Sequence, residues 1–365
     1  MSRGARVGRS RSQRGGAGAL GLALALAVVL AACGGGGGDD DESTGRGGGR
    51  GTATTTTAAP VPVAPLTGLP DPGGAAQGRP ALTVKVDNLD GEGVRPQTGL
   101  DQADVVYEEV TEGGITRFAA VFQSQIPEEV GPIRSVRRMD PDLVTPIGGV
   151  FAYSGGADAN VDAIRSAPVR SVDESMAGDA MFRSDANEPP HNLFGRGQAF
   201  FDGGGDPVPP PALFEYRPEG ETATGEPVTA FTVGFMAGYA PRYTWEADSG
   251  TWLRDVEGVP FNTATGTQIA PRNVVVQFTV YTGSGGEGQV VGEGDAMVFV
   301  DGQLIRCRWV RPDVGTPARY VDGFGGPVKL APGSTWVELA PVGAPVELVT
   351  PPPAPAEPAP AEPAP

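Results

Sequence analysis

Between residues 66 and 341, apolar side chains recur either at every second position or in short unbroken runs, the patterns of half-buried and fully buried strands. Strands are predicted at 81–87, 104–112, 115–124, 149–153, 229–235, 242–246, 251–256, 274–281, 296–300, 304–310 and 336–339. Gly113-Gly114, Asp248-Ser249-Gly250 and Asp301-Gly302 read as tight hairpin links. Helical spacing is confined to short stretches near 141–145, 158–166, with Asp158 as N-cap, and 197–201. Gly and Pro make up nearly a quarter of this region, which leaves little room for long helices. Residues 202–227, DGGGDPVPPPALFEYRPEGETATGEP, are dense in turn formers. The pattern therefore divides the chain into an α+β half at 66–205, a linker at 206–227 and a smaller, mostly antiparallel β half at 228–341.

The ends read differently. Residues 1–33 carry five arginines and no acid, then an uncharged stretch from Ala17 to Ala32, as a secretory leader does. That stretch has 16 residues, fewer than the roughly 18 that span a bilayer as a helix. Its end, Leu30-Ala31-Ala32-Cys33, resembles the lipobox of bacterial lipoproteins. The resemblance implies that Cys33 becomes a lipidated N-terminus carrying palmitate-like chains on the outer face of the cytoplasmic membrane. Residues 34–65 hold almost no side chain worth burying and are expected to form a disordered tether, and the Pro/Ala tail at 342–365 is expected to be an extended, unfolded stalk.

Removing the five leader arginines leaves 22 basic residues against 44 acidic ones, a net charge of about −22. Such a surface repels phosphate backbones, so nucleic acid is not an expected partner. One His and two Cys exclude a multi-histidine metal centre and a disulfide scaffold, and no cofactor or metal is expected. Cys307 sits at an alternate position of a strand beside Ile305 and Trp309, and reads as a buried hydrophobe rather than a reactive thiol.

Several segments together resemble the YerB-like bacterial lipoproteins, a two-domain family of unknown function. They are PLTGLP at 65–70, RPQTGLDQADVVYEE at 95–109, EGGITRFAAVFQS at 112–124, GPIRSVRR at 131–138 and PHNLF at 190–194. The second half adds NVVVQF at 273–278 and TPARYVDGFGGPVKLAPGSTWVEL at 316–339. The resemblance covers the whole folded region and implies a layered α/β first domain followed by a β second domain. It implies no reaction. This chain has Glu188 where family members often carry a basic residue before PHN, and Phe261-Asn262 where many have a His. The second departure argues against a histidine metal site between the halves.

The candidate chemistry lies in the first half. Arg134, Arg137 and Arg138, with Arg117 on a preceding strand, concentrate positive charge in an acidic chain. On a helix the three clustered arginines share one face; on a strand Arg137 points away from the other two. Guanidinium forks suit carboxylates and phosphates, so Arg117, Arg134 and Arg137 are candidates for holding a peptidoglycan fragment or an anionic wall polymer. Pairing with Glu108, Glu109 and Glu112 across the same hairpin is an equally good account of them. His191 is the natural proton shuttle if there is catalysis, with Asp185 or Glu112 as its carboxylate and Asn192 as a donor to an oxyanion; a loop histidine that merely ties a Pro-rich turn is the alternative.

Weaker candidates surround these. Asp87 and Asn88 end a strand and enter a turn, a common place for a cleft edge. Tyr153 and Ser154 end another strand before a glycine turn, where Tyr153 could contact a ligand and Ser154 could act with His191, although a plain β–α turn accounts for the pattern more simply. Gly283 to Gly288 fits GxGxxG as a string, but a further strand pattern follows where a dinucleotide site needs a helix. Two readings emerge. One is a lipid-anchored envelope protein binding an anionic ligand through an Arg-lined cleft; the other is an envelope hydrolase or transferase using His191 as general acid–base.

Overall fold

All eleven strands expected from the apolar runs form, with shifts of a few residues at their ends. The computed structural model describes residues 61–352 apart from 90, 92, 205–206, 219, 236–237 and 284–285. The leader with Cys33, the tether before residue 61 and the tail from residue 353 lie outside the described residues. The first half runs β1 (Leu82–Asp87), β2 (Val105–Val110), β3 (Thr116–Phe122), α1 (Asp140–Val144), β4 (Val150–Tyr153), α2 (Asp158–Ser166), β5 (Arg170–Asp173), β6 (Met181–Arg183), β7 (Leu193–Gly195) and α3 (Gly197–Asp202). The second begins with β8 (Glu226–Pro227), β9 (Ala230–Val233), β10 (Pro241–Glu246), β11 (Thr251–Val256) and β12 (Val259–Pro260). It continues through β13 (Asn273–Thr282), β14 (Glu287–Gln289), β15 (Gly292–Val300), β16 (Gln303–Arg311), β17 (Arg319–Val321), β18 (Thr335–Pro341) and β19 (Val346–Val349).

The halves are joined through a single sheet, ordered β17-β16-β15-β13-β18-β2-β3-β1-β4-β5. The junction is β18, which lies between β13 and β2 and runs parallel to both, with Thr335 opposite Val105 and Leu339 opposite Glu109. A parallel neighbour must be buried on both faces, and β18 is buried at six of its seven positions. A second sheet, β12-β11-β10-β9-β19, packs over the large one, where Phe231, Tyr243 and Trp252 meet Val274, Val276 and Phe299.

Four expectations are revised. The layered α/β arrangement reduces to three short helices of five, nine and six residues, and the described chain is mostly β. The cap of α2 is Ala157; Asp158 is its first helical residue, where a negative charge still complements the helix N-terminus. The expected tail begins too early: Val346 to Val349 pairs antiparallel with Val233 to Ala230 and extends the second sheet. Within residues 206–227, expected as a linker, the described part is anchored, because Leu213 and Phe214 enter the core and Arg217 reaches Asp301 at 2.7 Å. Pro and Gly density there marks bends rather than absence of burial.

Candidate functional site

Side chains alternate between the faces of a strand, whereas residues opposite each other on neighbouring strands share a face. Asp87 on β1 faces Arg117 on β3, which faces Glu109 on β2. These three, with Lys85 two positions before Asp87, therefore project to one side. Glu108 faces Phe118 on one side and Glu338 on the other, and these residues project to the opposite face. The adjacent acids Glu108 and Glu109 thus anchor two separate polar clusters.

On the first face, Asp87 is the hub. Its Oδ2 lies 2.7 Å from His191 Nδ1 and 2.9 Å from Arg134 Nε; the second contact is an ion pair whose N–H is not aligned for a hydrogen bond. The Gln97 amide donates to the Asp87 carbonyl at 3.0 Å and fixes the strand end. Arg117 is 3% exposed, and its NH1 donates to the Ser135 carbonyl at 3.0 Å. Arg137 NH1 donates to the same oxygen at 3.2 Å. Burial and the neighbouring Arg137 charge pull the Arg117 guanidinium down to about 10, although Asp87 opposes the shift. Glu112 accepts two bonds from Arg137, one at 2.6 Å to its Nε, and lies 4.0 Å from Arg117 NH2. An open groove of about 460 Å³ runs alongside, lined by Glu112, Ser135, Arg137, Arg138, Asn160 and Glu287.

Arg134, Arg137 and Arg138 lie on neither a helix nor a strand, unlike Arg117 on β3. Residues 131–137 form an irregular segment held by its neighbours: Arg134 N–H donates to the Lys85 carbonyl and Val136 N–H to the Gly155 carbonyl, each at 2.9 Å. Arg137 N–H donates to Asp140 at 2.6 Å. Asp140 is itself fixed by Lys85 Nζ at 2.8 Å, and Lys85 also binds Glu109, all three wholly buried. Burial and the Asp140 charge raise the Glu109 carboxyl to about 7 despite Lys85. This trio therefore sets the backbone from which Arg137 reaches the groove.

Arg117, Arg134, Arg137, Glu112, His191 and Asp87 all belong to this constellation. Among the described residues the carboxylate that meets His191 is Asp87, where Asp185 or Glu112 was expected. Asp185 is exposed, and Glu112 is engaged with arginines. Asp87 is 1% exposed and works as a holding group, not as a cleft-edge ligand. Asn192 is turned away from an oxyanion role: its Oδ1 accepts from Arg183 at 2.7 Å and its Nδ2 donates weakly to the Ser184 carbonyl. Tyr153 is fully buried with Phe151 and Ile164, and its hydroxyl meets Ser171 Oγ at 3.0 Å, so no ligand reaches it. Arg138 is exposed on the groove wall. Of the three glutamates offered as internal partners, only Glu112 pairs with this group. Cys307 is buried and its thiol is pushed up to about 12 by burial, as its strand position suggested.

The opposite face carries a cluster that sequence reading missed. Arg254 from β11 reaches through the sheet contact to Glu108 and Glu338, each at 2.7 Å, and all three side chains are wholly buried. Its guanidinium carbon lies 4.6 Å from the Trp336 ring centre and 4.9 Å from that of Phe261. Phe261 thus presents an aromatic face to this guanidinium. Burial and the Glu108 charge raise the Glu338 carboxyl to about 8. Asn88 joins the two faces: its amide donates to Glu108 and Tyr239, and its backbone N–H to Asp87. Among the described residues no group of three or more His, Cys, Asp or Glu is placed to hold a metal, and no helix is long and apolar enough to cross a membrane.

The fold and its central sheet belong to a two-part family. Residues 66–204 match the N-terminal domain, and residues 231–337 the C-terminal domain, of the family described as "Protein of unknown function (DUF3048)", and the chain belongs to that family. It is similar to the Bacillus subtilis (strain 168) protein named "Putative lipoprotein YerB", with 27% identity over 299 residues that cover 76% of this chain and 86% of that protein. It is also similar to a crystal structure of the YerB protein from Bacillus subtilis, with a TM-score of 0.67 and 25% identity over 78% of this chain and 99% of that one.

Proposed function

We propose that this protein is an extracytoplasmic lipoprotein, anchored through Cys33, that binds an anionic group of the cell envelope at the arginine cluster of its first half. The anchor reading is supported by the LAAC sequence and by similarity to a relative whose name calls it a lipoprotein. The binding reading rests on one observation: Arg117 and Arg137 converge on the Ser135 carbonyl beside a 460 Å³ groove, while Arg134 is held next to them by Asp87. The groove wall carries Arg137 and Arg138 beside Glu112 and Glu287, with Arg117 4.0 Å from Glu112, and guanidinium forks of this kind suit a peptidoglycan carboxylate or a wall-polymer phosphate. Retention of purified wall fragments by the full-length protein in detergent tests this. Arg134→Ala is expected to reduce retention strongly, and equal retention by both proteins would remove the binding reading.

A second reading is favoured by the 2.7 Å contact between Asp87 and His191, the geometry of a carboxylate-oriented acid–base imidazole. His191 is only 5% exposed, beneath the turn in which its N–H donates to the Glu188 carbonyl, so binding ranks first. Mass spectrometry of wall fragments incubated with wild type and His191→Gln separates the two: cleavage by the wild type alone supports an enzyme.

A further inference from the structure

We infer that Glu112 is a resident stand-in for the ligand's anionic group, and that the group it mimics is a carboxylate. The inference rests on the binding reading above and concerns what the pocket holds before a ligand arrives.

The cations around Glu112 do not depend on it for their positions. Arg137 keeps its NH1 bonds to the Ser135 and Val136 carbonyls, at 3.2 and 3.0 Å, and its backbone bond to Asp140. Arg117 keeps its own bond to the Ser135 carbonyl. Withdrawing Glu112 therefore leaves a preformed pair of guanidiniums with the Nε and NH2 edge of Arg137 open to the groove.

Glu112 is also the member of the cluster built to leave. Its side chain is 54% exposed, against 3% for Arg117, 13% for Arg137 and 20% for Arg134. It opens the single 3₁₀ turn Glu112–Gly114 that links β2 to β3, in which Gly113 and Gly114 take φ of 73° and 78°. Those left-handed angles come freely to glycine alone. A side chain added at Gly113 would meet nothing within 4 Å, so the turn's tip is open on that side. The strand pairing on either side closes without the carboxylate, through the Thr111 N–H to Ile115 carbonyl bond at 2.7 Å.

The chemistry of the occupant defines the visitor. Both Glu112 oxygens are engaged by the edge of one planar guanidinium, the two-point geometry of an Arg–carboxylate pair. Exchanging one monoanion for another leaves the local charge balance unchanged. A terminal phosphate monoester would add a second negative charge in a groove that Glu287 also lines, and a polymer phosphodiester, itself a monoanion, lacks the planar two-oxygen edge that Glu112 presents.

The test is isothermal titration of the full-length protein in detergent with N-acetyl-D-alanyl-D-alanine, its C-terminal amide and glycerol 3-phosphate. Wild type is expected to bind the free dipeptide weakly. Glu112→Gln is expected to bind it about three- to tenfold more tightly, as removal of a competing charge-assisted pair predicts. The amide should bind to neither protein, and adding Arg137→Ala to the Gln variant should abolish the gain. A thermal melt confirms that each variant is folded. Equal affinities of wild type and Glu112→Gln would overturn the stand-in and leave anion binding intact. A larger gain with glycerol 3-phosphate than with the dipeptide, or wall-fragment retention with no dipeptide binding, would overturn the carboxylate. Loss of Arg134-dependent retention as well would bring down the binding reading itself.

Discussion

Asp87 and His191, 104 residues apart in the chain, meet at 2.7 Å because β1 ends where the turn carrying His191 folds back over it. The same aspartate oxygen holds Arg134. One buried carboxylate thus aligns an imidazole and a guanidinium that approach from different loops.

Asp87→Asn keeps the shape and removes the charge. Hydrogen bonds to a charged group contribute roughly 1.5 to 3 kcal/mol, so urea unfolding is expected to show a loss of that order. His191→Gln, which leaves the Arg134 pair in place, should cost less. An unchanged midpoint for Asp87→Asn would show that the hub adds nothing to stability.

Arg254 presents a sharper case, since it is the one cation between two acids from different strands in a wholly dry site. Arg254→Met is expected to destabilise by roughly 3 to 5 kcal/mol, because the buried Glu108 carboxylate is left without its cation. Adding Glu108→Gln and Glu338→Gln should recover most of the loss. Urea denaturation reads both steps without screening the charges as an ionic denaturant would.

The pH dependence follows from Glu338, whose folded carboxyl is raised to about 8 by burial and by Glu108. An acid whose pKa is raised on folding holds its proton in the native state where the unfolded chain has released it. Its stabilisation is complete below the ordinary value near 4.5 and fades as pH rises through about 8. The stability of Glu338→Gln relative to wild type should therefore climb between those limits, by at most about 1.4 kcal/mol per pH unit, and level off above. A parallel pair of stability curves across that window would refute the assignment.

The strands were legible where alternation or a long apolar run carried the signal, as in β13 and β16. Short strands such as β5, Arg-Ser-Val-Asp, were not, because partners rather than their own residues make them strands. Spacing alone left Arg134 and Arg137 open to a helix or a strand; both lie on an irregular segment, from which Arg137 joins Arg117 at the Ser135 carbonyl and Arg134 reaches Asp87. The partner of His191 was sought six residues away at Asp185, yet the chain between them turns outward and the strand end at Asp87 arrives instead. No local pattern encodes that meeting. The adjacent glutamates at 108 and 109 were both candidate partners of the same arginines, and only the pleat of β2 assigns one to each face.

Consider finally the strand β18, which closes the open flank of β2 from 230 positions further along the chain. Until that late segment has been made, β2 has one long side without a partner, and an unpaired strand flank adheres readily to another of its kind. Folding that waits on so distant a partner is slow to begin and hard to begin early. Halves expressed separately at the seam between the two domains would leave β2 without the partner that covers its flank.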